Sequence, residues 1–167
     1  MKANRKKLAV LVVVVGVTLF FTGALATAAA GPGKQALAGV WQVEVTILSD
    51  CGPNPSQVRQ LPALNTFTRD GKVIETPGTP LTRPGTLRTS PALGAWQHEG
   101  GQQFSAVYRA FIILPDNTPD GSVTFTEAIE LSQDADSFTS NGTADFFDSN
   151  GNPIVHACHT LAGTRLQ

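Results

Sequence analysis

Much that would announce an activity is missing from this chain. There is no Gly-x-Ser-x-Gly elbow, phosphate loop, dinucleotide fingerprint or zinc-protease helix, so the usual sequence-borne routes to acyl transfer, nucleotide chemistry and metalloproteolysis have no foothold. No cofactor is implied. No stretch of residues 31–167 has the 3.6-residue periodicity of an amphipathic helix, and no apolar run there is long enough to span a bilayer. Beyond residue 30 positive charge is not clustered. Lys34, Arg59, Arg69, Lys72, Arg83, Arg88, Arg109 and Arg165 are scattered, whereas phosphate binding needs basic residues gathered on one surface. Nucleic acid and anionic membrane surfaces are therefore excluded as expected partners. Cysteine is scarce: Cys51 and Cys158 are the only two, and neither stands where a lipid-modified N-terminus would need one.

What is present begins with a leader. Lys2, Arg5, Lys6 and Lys7 precede an apolar run over residues 8–25, which ends in Ala26-Thr27-Ala28-Ala29-Ala30. Basic, greasy and small residues in that order form a secretory signal. The expected organisation is a signal peptide over residues 1–30 and one domain over 31–167, exported to the periplasm or the exterior. An uncleaved membrane anchor is the alternative, because the run approaches a minimal span of ~18 residues. After cleavage no stable membrane span is expected. The whole chain holds 12 Lys+Arg and 13 Asp+Glu; four of the basic residues lie in the leader, leaving eight against 13 and a formal charge of −5. In an oxidising compartment the two cysteines read first as a disulfide, with free thiols or metal ligands as alternatives.

The mature part reads as strands. In residues 40–47, Trp41, Val43, Val45 and Ile47 alternate with polar neighbours, the period-two signature of a half-buried strand. Runs over 64–69 and 72–76 flank Asp70-Gly71, a hairpin signal. Residues 77–91, rich in Pro, Thr and Gly, read as a long loop. Strands follow over 94–97, 103–113, 122–131, 138–147 and 154–166. Eight strands with short connections predict an all-β, eight-stranded antiparallel up-and-down barrel, which leaves no open edge. Antiparallel pairing of the first and last strands would bring Trp41 near Arg165 and Leu166, with Cys51 and Cys158 riveting the seam.

Gly39-Val40-Trp41, with Arg165 near the end of the last strand, resembles the calycin superfamily, which includes the lipocalins. In that superfamily the tryptophan packs at the closed barrel end against a basic residue from the C-terminal side; the resemblance assigns those barrel-closing roles to Trp41 and Arg165. The chain departs from lipocalins in having no C-terminal helix. Residues 88–101 are similar to segments of uncharacterised exported bacterial proteins, which implies export and no particular activity.

Glu127 is the most pointed candidate, because it shares a strand face with Val123, Phe125, Ile129 and Leu131. A turn centred near Thr118 would place Arg109 opposite it, within cross-strand reach. Three roles are open to Glu127: half of an ion pair, a polar anchor in a greasy pocket, or a general acid or base. Tyr108, Phe104, Phe125 and Trp96, with Phe67, Phe138 and Phe146, either fill the core or line a cavity for one small ligand. His156 and His159 fall on opposite strand faces, so His156-Ala157-Cys158-His159 does not form a structural metal site. Residues 148–152 echo a calcium loop, but Pro153 and His159 stand where glycine and glutamate are required; the segment reads as a turn. Asn141-Gly142-Thr143 is a glycosylation sequon, relevant only in a eukaryotic secretory pathway.

The leading function is non-catalytic binding of a small, partly apolar molecule, in the barrel or under the 77–91 loop. The alternatives are an isomerase or cyclase of the kind that some calycin-like barrels support, the allene oxide cyclases among them, with Glu127 or His98 moving the proton, and an envelope interaction module presenting Val107, Phe111 and Ile113. The oligomeric state is not specified by the sequence.

Overall fold

The computed structural model describes residues 33, 35–78 and 88–167. The leader, its cleavage site, Lys34, Arg83 and most of the 77–91 loop lie outside the described residues. Nine strands are present among the described residues: β1 (Gly39–Leu48), β2 (Gln57–Phe67), β3 (Lys72–Pro77), β4 (Arg88–Thr89), β5 (Ala92–Gly100), β6 (Gln103–Ile113), β7 (Pro119–Leu131), β8 (Ser137–Phe147) and β9 (Pro153–Arg165). Eight of them form a closed antiparallel barrel in up-and-down order, β1-β2-β3-β5-β6-β7-β8-β9, with β9 returning to β1. The two-residue β4 continues the line of β5 along β6. No helix among the described residues is long and apolar enough to cross a membrane.

Alternation is what closes the barrel. Trp41 and Val43 on β1, Val73 on β3, Val123, Ile129 and Leu131 on β7, and Leu161 on β9 all point inward and are buried. Strand β2 begins seven residues before the expected run. Its first half, with Val58, Arg59 and Gln60, is exposed, so it lacks the apolar alternation that reveals a strand. It forms because Leu61, Gln60 and Arg59 pair with Val45, Thr46 and Ile47 of β1.

One end of the barrel is plugged. A turn over residues 35–37 places Leu37 in the core at 0% exposure, and Trp41 Nε1 donates to its carbonyl at 3.0 Å. Trp41, Phe67, Trp96, Phe104 and Phe138 form a chain of edge-on and tilted ring contacts, arrangements that aromatic quadrupoles favour. Arg165 pairs with Trp41 across β1–β9. Its guanidinium lies 4.1 Å from the indole centroid and donates to the carbonyls of Ala36, Ala38 and Ala135 at 2.6, 2.9 and 2.8 Å. A charged donor satisfying three otherwise open carbonyls and stacking on a ring is a strong local clamp. Gly39 belongs to it: its φ is +149°, and a Cβ there would run into the guanidinium.

At the other end lie the loops after β1, β3, β6 and β8. There Cys51 and Cys158 form a disulfide spanning a sequence separation of 107, which ties the loop after β1 to β9. The chain leaves β3 at Pro77 and re-enters at β4 on this same rim.

Candidate functional site

The barrel interior changes character along its axis. Aromatics fill the plugged end, a polar layer crosses the middle, and an apolar cavity of about 360 Å³ opens at the mouth.

The polar layer is built around Glu127. Its side chain points inward from β7 and is 2% exposed. Three donors surround the carboxyl: Tyr108 Oη (2.9 Å) and His159 Nε2 (2.6 Å) on Oε1, and Ser140 Oγ (2.5 Å) on Oε2. They arrive from β6, β9 and β8. Glu127 and His159 meet over β8 because the residue between them is Gly142, register partner of both; a Cβ there would collide with the Glu127 carboxyl and the His159 ring. Gly94 likewise makes room for Tyr108. A buried carboxylate is costly unless its acceptors are filled, and these three donors fill them.

Glu75 and Asn65 complete the layer. They are register partners across β2–β3 and both are buried. Burial pushes the Glu75 carboxyl up from its ordinary 4.5 to about 7; the Tyr108 hydroxyl, which hydrogen-bonds it, pulls the other way, the Glu127 charge adds to the rise and His159 offsets part of it. Burial, with the two carboxyls beside it, holds the Tyr108 phenol well above its ordinary value. Neither polar atom of the Asn65 amide has a hydrogen-bond partner among the described residues, and Asn65 is 1% exposed.

Glu75 and His159 form the cavity floor. The walls include Val45, Ile47, Leu61, Val123, Phe125 and Phe146, with Arg59, Thr89 and Ile112 also lining the cavity. A second depression, at the plugged end beside Gln102, Glu130 and Thr139, opens broadly to solvent.

Several expected placements are revised. Arg109 does not face Glu127: Ala106 does, while Arg109 pairs with Thr124, donates to its hydroxyl at 2.9 Å and lies over Phe147 on the outer surface. The turn after β6 centres nearer Asp116 than Thr118, and an odd shift in register moves a side chain to the other face. Trp96 and Phe104 belong to the aromatic plug and do not line the cavity. Phe125 does line it, stacked on Tyr108 at 5.1 Å. Tyr108 and Glu127 stand behind the floor. His98 is at the plugged end, where Nε2 contacts the Gly101 carbonyl at 2.9 Å. His156 faces outward and bonds Asp145 at 2.6 Å, and residues 148–152 form a turn closed by the Asp148 carboxylate.

Neither Glu75 nor Asn65 stands out in the sequence as a candidate; His159 does so only in a metal motif and a calcium-like loop, and Gly142 only in a sequon. The signal for the first three was available: each shares strand parity with buried apolar residues, Val73 for Glu75, Leu161 for His159 and Phe67 for Asn65. Compared with protein-family models and with curated proteins, the chain matches none.

Proposed function

We propose that this barrel binds a small, partly apolar molecule in the mouth cavity, without chemistry of its own. The observation that carries the reading is the cavity: mostly apolar walls, with Glu75 and His159 at the floor and Arg59 and Thr89 as the other polar side chains lining it, a composition typical of small-molecule sites. A volume of about 360 Å³ suits one small ligand. The groups considered as proton carriers for an isomerase, Glu127 and His98, do not line this cavity, which favours binding over catalysis. The Trp41–Arg165 clamp supports the calycin-like reading. The disulfide suits an exported protein, since such bonds persist in oxidising compartments, and we place the mature domain in the periplasm or outside the cell.

The test uses the neutral fluorophore N-phenyl-1-naphthylamine and a cavity-filling variant, Ala157→Phe, checked for folding by circular dichroism. Saturable fluorescence enhancement by the wild type, lost in the folded variant, is the expected result. Equal enhancement by both proteins would place the probe elsewhere and remove support for the cavity; no enhancement by the wild type would count against binding of this class.

A further inference from the structure

We propose that the mouth cavity selects ligands bearing a protonated amine on an apolar body, with Glu75 as the counter-ion. This rests on the binding function proposed above and adds the chemistry of the ligand's head.

The polar layer holds two carboxyls, Glu75 and Glu127, and one basic side chain, His159. The imidazole is committed to Glu127 at 2.6 Å, and Glu127 receives two further donors. Glu75 forms no ion pair among the described residues, yet it lines the cavity. Arg59 lines the same cavity but is exposed and outside ion-pair distance of Glu75. A buried carboxylate is tolerated when a cation meets it, and the open side of Glu75 is the cavity. Asn65 is an independent sign that the layer is incomplete on this side: a fully buried amide whose oxygen and nitrogen have no partner among the described residues, directly opposite Glu75 in the sheet and just behind the cavity lining. Buried amides in native proteins are rarely left so. An ammonium is a donor with no acceptor of its own, and from the cavity it meets the Glu75 carboxylate. A ligand carboxylate would instead add a third acid to the layer, inside a mature domain of formal charge −5, and would be repelled.

The experiment compares 4-phenylbutylamine, 4-phenylbutan-1-ol and 4-phenylbutanoate by isothermal titration calorimetry on the mature protein. These share one apolar body and differ in the head. At pH 8 the amine should bind roughly 10- to 100-fold more tightly than the alcohol, the range for a charge-assisted buried hydrogen bond, with the acid weakest. Glu75→Gln should erase the amine's advantage over the alcohol. The groups facing Glu75 are Tyr108 from β6, Glu127 from β7 and His159 from β9; with His159 offsetting part of the rise Glu75 still titrates at about 7, so at pH 6.5 it is mostly protonated and amine binding must ionise it. In the wild type at pH 6.5, binding should therefore release most of one proton, read as different heats in phosphate and Tris. That readout needs no variant. Equal or tighter binding of the alcohol or acid, an amine preference that survives Glu75→Gln, or no proton release would each overturn the assignment. If none of the three displaces N-phenyl-1-naphthylamine, the amine head is refuted and the cavity reading stands; if the fluorophore does not bind either, both fall.

Discussion

Glu75→Gln should stabilise the barrel in a pH-dependent way, and the size follows from burial. In the unfolded chain this carboxyl titrates near 4.5; in the barrel it titrates near 7, chiefly because burial penalises the charged form. The native state therefore holds the proton more tightly. Below pH 4.5 both states are protonated and the group's stabilising contribution is fully present. Between 4.5 and 7 the native state keeps a proton that the unfolded state has lost, so stability falls as pH rises, and above 7 the loss is complete. At about 1.36 kcal/mol per pH unit, that interval corresponds to about 3 kcal/mol. Glutamine has nearly the same shape and no charge to desolvate. The advantage of the variant over the wild type should grow by about 2–3 kcal/mol from pH 4.5 to pH 8. Urea denaturation of both proteins at several pH values measures it. The difference must be taken at each pH, because exposed carboxylates such as Asp116, Asp134 and Asp148, held below their ordinary range by hydrogen bonds, lose stabilisation as pH falls and are common to both proteins. A difference that stays flat within about 0.5 kcal/mol across that range would refute the burial argument.

Gly142→Ala should cost about 3 kcal/mol or more, the scale for breaking a buried ion pair, since the new Cβ must displace the Glu127 carboxyl or the His159 ring; Gly33→Ala, with nothing within 4 Å of its Cβ, is the control and should be near neutral by thermal melting. Replacing both Cys51 and Cys158 by serine should lower stability by about 4–5 kcal/mol, because a cross-link at a separation of 107 removes much of the unfolded chain's freedom; a loss under about 1 kcal/mol in chemical denaturation would show that the seam is held by β1–β9 pairing alone.

The strands were legible because alternation is a local property. Trp41, Val43 and Val45 state their inward face without reference to any other strand, and the same parity on β7 marks Glu127 as interior. The short turns, Asp70-Gly71 among them, set the antiparallel order, and that order predicts closure. Arg165 was found through its likeness to a known barrel end, and β1–β9 pairing bears that placement out. Residues 57–63 were not legible, because a strand with an exposed face and a proline carries no apolar alternation; only its neighbour β1 makes it a strand.

Which interior polar groups meet is a different kind of question. Glu127 was expected to face Arg109 and instead meets His159, two strands away, because register depends on where each turn centres and on bulges such as the one between Phe111 and Ile113. Nor does parity tell a hollow interior from a filled one. Small residues at Gly94, Gly142 and Gly163 are taken up by neighbouring side chains, whereas Ala63, Ala144 and Ala157 leave space at the mouth. By itself the sequence determined the all-β class, the strand order and the inward face of most strands, all consequences of two-residue periodicity and turn chemistry. The tertiary structure alone decided the Glu75–Tyr108–Glu127–His159 layer and the cavity above it, because the layer joins side chains of β3, β6, β7 and β9 and the cavity is lined from every strand except β5, and the heights of all these side chains along the barrel axis are set by register and closure.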